Sequence, residues 1–490
     1  FNFDDDVLAN STEEISLELE KEFNKNNFYF KSDLIDEYLE IYNLNLLSKN
    51  IYNKVIDVNV INNNESIDIV FFDKQSTPII INKIEITGNS ITKNNTIRSK
   101  ISFQPGEYLN NYKIKNLSKN LKRYPYIKDV LIETNVNDQI ADISINIDEE
   151  TKTGNLLLAG TFNADTGAGL TLGIEDKNIF GSGNSISSNF SVNSEDLKFD
   201  INYIQYPLLN PNLTNTYTIF NQEYDYTNSF GYKASKRGIG YFINFKQSEV
   251  ISYGSGIDYE SFKGHSAINS TSSSINDNIG NFQNYRLKFS IKYDTSNDFY
   301  NPSDGTINSF NFTISPNNIS DNAYYKFNVS NKNYRTLNKS KNFIFLNNNY
   351  GYAKSLNGKL KTIDAFGLGG LNFKGFDYKG IGPYDGKVYL GGNEFFTSTI
   401  GYGSSFIFDD KDNINIKFFL TTGSIWNSDY ASSDIDIRTS IGTSFDIITP
   451  IGPISLSYAS PIEKNSFDKT RPFNFSIGTS FWLNDIIWKK

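Results

Sequence analysis

The sequence predicts small α+β units of β-α-α-β-β order followed by an all-β, sixteen-stranded antiparallel transmembrane barrel. A change of texture near residue 150 is the first sign. Ahead of it helical and strand patterns mix and charge is dense; after it, short alternating segments are split by Gly, Asn, Ser and Asp turns. The second sign is the segment 285–293, where Tyr285, Leu287, Phe289, Ile291 and Tyr293 alternate with Arg286, Lys288, Ser290 and Lys292. Successive strand side chains point to opposite faces, so three cations share one face opposite five apolar groups, as a wet lumen and a lipid exterior require. The third is the closing segment 473–482. There Phe473, Phe475, Ile477, Thr479 and Phe481 take one face and Asn474, Ser476, Gly478 and Ser480 the other.

Composition bounds the alternatives. At 490 residues the chain is too long for one ordinary domain. Mean hydropathy is -0.43 and the sequence has no apolar run long enough for a membrane helix. A barrel hides from such averages, because only every second residue meets lipid while aromatics rise; here aromatics reach 15%. Cysteine is absent, which removes disulfides, thiolate metal sites and cysteine nucleophiles. The single histidine, His265, sits in a Gly/Ser/Asn-rich stretch and is expected to be a solvated loop residue. The net charge of -9 argues against nucleic acid as a partner. Methionine is also absent, and no physical reason for that is evident. A start at Phe1 without a leader leads us to expect a processed chain or a piece of a longer one.

Element by element, residues 79–87 read as a strand ending at Gly88-Asn89. A short helix over 95–102, a Pro105-Gly106 turn, a helix over 111–123 and strands over 127–134 and 141–148 complete one unit. An earlier unit shows helices near 12–23 and 32–47 and strands over 55–61 and 66–72. Its opening strand is missing or reduced to residues 1–3, which leads us to expect further units upstream. The expected domains are 1–76, 77–150, a barrel over 151–482 and an extension over 483–490. Residues 148–154 form the boundary ahead of the barrel.

The back part divides into roughly sixteen strands of about 9–11 residues, the length a tilted membrane strand needs. Phe310, Phe312 and Ile314, then Ile454, Leu456 and Tyr458, repeat the alternation less regularly. A large soluble sandwich or propeller is the alternative, but no blade-length repeat is present. Backbone groups in lipid have no water to bond, so the sheet must close on itself. No carboxylates form a recognisable acid/base pair and no Gly-rich phosphate loop carries its lysine. We therefore expect no enzyme activity, no cofactor and no metal. Gly375, Gly382, Gly391 and Gly392 read as loop-turn formers.

Several motifs, in order, resemble the BamA family, the central subunit of the bacterial outer-membrane β-barrel assembly machine. The front units look like POTRA domains, with Ile86-Thr-Gly88-Asn89 at the usual strand end. The junction Glu149-Glu150-Thr-Lys-Thr-Gly154 and the turn Glu175-Asp-Lys-Asn178-Ile-Phe180-Gly181-Ser-Gly183-Asn184 are similar to that family's. So are Tyr293-Asp294-Thr295 leading to Pro302-Ser-Asp-Gly305, and Ile451-Gly452-Pro453-Ile454 ahead of the last strand. Most specific is Leu368-Gly369-Gly370-Leu-Asn-Phe-Lys374-Gly375-Phe376, running to Gly382-Pro383 and Gly391-Gly392-Asn393; it looks like the family's loop folded back into the lumen.

Two departures stand out. Lys374 occupies the position where the family carries arginine, and the segment Phe419-Leu-Thr421-Thr-Gly423 lacks the aspartate that holds that arginine. A lysine is a point donor and can use a hydroxyl, whereas arginine's fork suits a carboxylate. Lys374 is therefore expected to anchor the loop near Thr421 or another acceptor. The second departure is the extension 483–490, which contains Ile486, Ile487 and Trp488 and reads as a periplasmic interfacial tail.

The resemblance implies insertion of other barrel proteins through a weakly closed seam between first and last strands. The expected seam residues are Gly154, Asn155, Gly160 and Asn163 on one side and Phe473, Phe475, Gly478 and Phe481 on the other. Implied partners are unfolded outer-membrane proteins, accessory periplasmic lipoproteins at the POTRA units and outer-membrane lipid. No nucleic acid or nucleotide is expected. The barrel is placed in the outer membrane with the POTRA units in the periplasm. A two-partner secretion or translocation-and-assembly transporter exporting a polypeptide is the alternative.

Overall fold

The computed structural model describes residues 2–3, 53–63, 66–75, 78–122, 124, 126–150, 153–163, 167–207, 210, 212–227, 231–248, 250–266, 273–298, 302–337, 342–385, 388–408, 411–431, 434–449 and 452–477. Two compact units divide the chain. One comprises Phe1–Thr153 with Lys177–Gly183, the other Gly154–Asp176 with Asn184–Lys490.

In the first unit, β1 (Asn2–Phe3) runs parallel to β3 (Ser66–Gln75), which pairs antiparallel with β2 (Asn53–Asn63). The helices expected near 12–23 and 32–47 lie outside the described residues. A second sheet has the order β4-β6-β5, from β4 (Ile80–Thr87), β5 (Ile127–Asn137) and β6 (Ile140–Glu149). β6 shows why it folds: every second residue, Ala141, Ile143, Ile145 and Ile147, is buried. Helix α1 (Asn94–Arg98) and helix α2 (Asn111–Leu121) cover that face and contribute Ile97, Leu117 and Leu121 to the core. Asn110 caps α2 by accepting from Lys113 N at 3.2 Å. Helix α1 is shorter than expected, because Lys100 and Ile101 bond three residues back and tighten the chain into turns.

The second unit is a closed barrel of sixteen strands. Its first eight are β7 (Gly154–Asn163), β8 (Gly167–Asp176), β9 (Ser185–Val192), β10 (Asp196–Gln205), β11 (Leu213–Tyr226), β12 (Tyr232–Lys246), β13 (Ile251–Ser266) and β14 (Gly280–Asp294). Then follow β15 (Gly305–Ser315), β16 (Tyr324–Thr336) and β17 (Asn342–Ser355). After an inserted loop containing the two-residue β18 (Gly375–Phe376) come β19 (Glu394–Phe408), β20 (Lys411–Trp426), β21 (Arg438–Thr449) and β22 (Gly452–Glu463). The short β23 (Thr470–Arg471) precedes the closing strand β24 (Phe473–Ile477). Each barrel strand neighbours the next barrel strand in the chain, with β18 and β23 lying in the connections, except where β24 meets β7.

The alternation sorts as the pattern predicts. Tyr285, Leu287, Phe289, Ile291 and Tyr293 are exposed on the outer face of β14, while Arg286 and Lys288 point inward with side chains only 11% and 14% exposed. Asp258 and Glu260 on β13 receive them: Arg286 donates to Asp258 at 2.7 and 3.1 Å and lies 2.9 Å from Glu260, and Lys288 lies 2.6 Å from Asp258. Elsewhere the lumen is amide-rich, as where Asp200 accepts from Asn189 and Asn202 and Asn202 accepts from Thr218. His265 is exposed, but it lies on β13 opposite Lys233 rather than in a loop; the strand runs longer than its Gly/Ser-rich composition led us to expect. Among the described residues no helix is long and apolar enough to cross a membrane.

Candidate functional site: the lumen loop and the seam

The loop between β17 and β19 is built around an apolar knot. Leu368, Phe373, Phe376 and Ile381 pack with Phe395 of β19 and Ile425 of β20. Phe418, Leu420 and Ile441 are exposed on the outside, so their buried neighbours Phe419, Thr421 and Ser440 face inward and the loop lies in the lumen. Gly375 (φ 100°) needs its missing side chain: a Cβ there would stand 3.1 Å from that of Ser440. Gly382 (φ 107°) presses on Ile425, and Pro383 O accepts from Leu390 N at 2.9 Å.

Lys374 meets the strand segment 419–423 at a ring face. Its ammonium sits 5.2 Å from the centroid of the Phe419 ring, a cation–π contact. Thr421, the expected acceptor, shares its hydroxyl with Thr399 across the strand pair at 2.9 Å. The loop lysine thus reaches the anticipated strand segment, but at its aromatic first residue.

The sequence reading missed the contacts that hold the far side of the loop. Gly375 and Phe376 pair antiparallel with Arg471 and Thr470. Asp377 N donates to Lys469 O, Lys469 N donates to Gly380 O, and the Arg471 guanidinium donates to the Asp377 carboxylate. Tyr389 donates its hydroxyl to Phe467 O. The segment 464–472 is pinned to the wall in turn by Arg438 of β21, which grips Asp468 at 3.0 and 3.1 Å. Asp377, in the lumen loop, and Arg471, in the two-residue β23, are 94 residues apart, so no periodic signal links them. The Asp258–Arg286 pair was legible in principle, from Asp-x-Glu and Arg-x-Lys spacings on successive strands.

At the seam β24 lies between β22 and β7. Phe473 pairs with Tyr458 and Phe475 with Leu456, while Ser476 stands opposite Asn163 and Ile477 opposite Phe162. On its other flank β7 pairs with β8, setting Gly154 against Asp176, Asn155 against Glu175 and Gly160 against Leu170. Gly478, Phe481 and the extension 483–490 lie outside the described residues.

In the first unit, Glu149 ends the buried face of β6 with its carboxylate turned inward. Thr92 N and Ile91 N donate to it, each at 2.7 Å, and Ser90 Oγ at 3.2 Å. Asn178, from the motif after β8, donates to Thr92 Oγ1 at 2.8 Å and accepts from Gly183 N at 2.7 Å.

A lipid-faced barrel with a loop packed in its lumen, preceded in the chain by a β-α-α-β-β unit, defines a POTRA-bearing outer-membrane barrel. A family model described as the Omp85 superfamily domain matches residues 178–481, well over half of the chain, so the protein belongs to the Omp85 superfamily. A POTRA model, described as a surface antigen variable number repeat, matches residues 79–150. The outer membrane assembly factor BamA of Neisseria meningitidis serogroup B is 21% identical over 481 residues, covering 85% of this chain and 58% of that protein. The chain thus spans little more than half the length of that relative. The crystal structure of BamA from Haemophilus ducreyi lacking POTRA domains 1–3 superposes with a TM-score of 0.77 at 23% identity, over 92% of this chain and 94% of that one. CdiB from Acinetobacter baumannii gives a TM-score of 0.55 at 14% identity, over 91% of this chain and 82% of that one. The barrel lies in the outer membrane and the POTRA unit in the periplasm.

Proposed function

We propose that the protein folds and inserts β-barrel proteins into the outer membrane through a weakly closed seam between β7 and β24. The observation that carries this reading is how the barrel closes. Every other junction joins successive barrel strands, but β7 and β24 meet as first strand and last. That junction has no hairpin to re-form it, so it can part and offer two strand edges. A client strand in lipid needs such an edge, because each unpaired peptide group there costs several kcal/mol. Pairing through backbone groups would accept many client sequences. Gly160 on β7 supports the reading, since glycine weakens a strand's local packing. The kinship with proteins named assembly factors supports it further.

The POTRA sheet has β4 and β5 at its edges; residues 106–109 bond the start of β4, so in this reading β5 is the edge that receives client segments or accessory lipoproteins by strand addition. The work is binding and positioning rather than bond chemistry, and the driving free energy comes from the client's own folding. The test is a cross-link at the register pair Asn163 and Ser476. The Asn163→Cys/Ser476→Cys variant in proteoliposomes should stop client insertion when oxidised and restore it when reduced, with the barrel folded throughout. Unimpaired insertion by the oxidised protein would defeat the reading. Secretion of one exported polypeptide, without effect on unrelated barrels, would favour the transporter alternative.

A further inference from the structure

The closing strand enters the barrel wall from a segment stitched to the lumen loop. Directly ahead of Phe473, Thr470 and Arg471 form a two-residue ladder with Phe376 and Gly375. Lys469 exchanges backbone hydrogen bonds with Asp377 and Gly380 at 2.9 Å each, and Arg471 pairs with Asp377. Pro472 O accepts from Ala459 N of β22 at 2.8 Å. The loop end of this stitching is rigid, because Phe373 and Phe376 are wholly buried against Phe395 and Ile425. The strand it leads into, β24, is the one that meets β7 across the junction of first and last barrel strands. The two elements are therefore coupled for as long as the ladder is formed.

We propose that the lumen loop is a latch on the seam, with Asp377 and Arg471 as its positioning pair. The proposal rests on the seam reading above and adds what governs the seam. While the ladder is formed, Thr470–Arg471 is held to the loop, and β24 leaves it at a fixed point, pairing with β22 from Phe473 and reaching β7 at Ser476. Release of the ladder frees the start of β24 to swing outward. Both side chains of the pair are only partly buried, 25% exposed for Arg471 and 33% for Asp377. Their attraction alone is modest, and its role is to align the ladder. Reversing one charge sets two like charges against each other and opposes ladder formation directly.

The chain has no cysteine, so spin labels on Asn163→Cys and Ser476→Cys report the seam alone. Pulsed electron–electron distance measurements in lipid nanodiscs should find mainly the short separation in the parent protein. Asp377→Arg and Arg471→Asp should each raise the separated population by roughly two- to fivefold, the span a partly exposed pair can shift between two states. The double swap should restore the parent distribution. Unchanged distances in both single variants, or no recovery in the double, would overturn the latch. Retarded migration on heating in detergent gels verifies the fold, and Asp377→Asn serves if a reversal prevents folding. Client insertion is measured separately on the same samples. A seam that widens without any change in insertion leaves the latch standing and counts against the insertase reading; insertion blocked by the seam disulfide, with distances insensitive to the latch variants, does the reverse.

Discussion

Arg438 on β21 and Asp468 in the segment before β24 meet side-on, Nε to Oδ2 at 3.0 Å and Nη2 to Oδ1 at 3.1 Å, with both side chains almost fully buried. Arg438 also donates to Asp436 O at 2.7 Å, and Asp468 accepts from Asn465 N at 2.7 Å. A bidentate, charge-assisted pair of this kind fixes geometry as well as charge.

Removing one partner leaves the other charge buried and uncompensated. Arg438→Met should cost about 3–5 kcal/mol. Arg438→Met with Asp468→Leu should recover most of that loss, because a well-packed apolar pair can replace a buried ion pair. Urea unfolding in lipid vesicles, followed by tryptophan fluorescence, measures both. Equal losses in the single and double variants would contradict this account.

Lys374 rests over Phe419, and Thr421 bonds Thr399. Phe419→Leu should therefore loosen the lumen loop by about 0.5–2 kcal/mol, the range of a cation–π contact as it loses water. Thr421→Val should leave the loop's position unchanged. Limited proteolysis of the loop separates the two; faster cutting in Thr421→Val alone would restore the hydroxyl as the anchor.

Leu287 stands at the middle of β14 on the exposed outer face. Leu287→Arg should destabilise the barrel by about 2–4 kcal/mol in bilayers, the cost of a cation near the midplane. In detergent micelles, which deform around a charge, the loss should shrink. A loss of the same size in both would mean that Leu287 does not face hydrocarbon.

Burial raises the carboxyl of Glu149, but the hydrogen bonds from Thr92, Ile91 and Ser90 outweigh it and hold the group below the usual carboxylate range. A depressed native value contributes stability that is complete above the unfolded value, about 4.3, and is lost as pH falls through the folded one. Amide exchange at Ile91 and Thr92, corrected for intrinsic rates, should accelerate in acid below that value. Glu149→Gln should show the fast exchange at neutral pH and little further change in acid.

Legibility in the sequence followed periodicity. β14 was plain because cations and apolar groups alternate over its whole central stretch, and β6 because isoleucines recur at every second position. The lumen loop was visible through its glycines, among which Gly369, Gly370, Gly375, Gly382 and Gly391 take positive φ. The grip of Arg471 on Asp377 and of Arg438 on Asp468 was not visible, since Asp377 and Asp468 lie in irregular segments where no period marks a partner. The partner of Lys374 was left open by the sequence, since a hydroxyl and a ring face both suit an ammonium; the ammonium stands over the Phe419 ring, and Thr421 bonds Thr399.

The paired charges of β13 and β14 also act as a ruler during assembly. Asp258 faces Arg286 in register, with Lys288 and Glu260 at the diagonals. A slip by one residue would turn one strand's charges out toward hydrocarbon, at about 2–4 kcal/mol for each cation exposed near the midplane. A slip by two would keep the faces correct but set Asp258 opposite Asn284 or Lys288 and break the bidentate fit to Arg286. The one-residue slip is therefore the costly one, and among the alignments that keep the faces correct the bidentate Asp258–Arg286 fit marks the one the wall adopts.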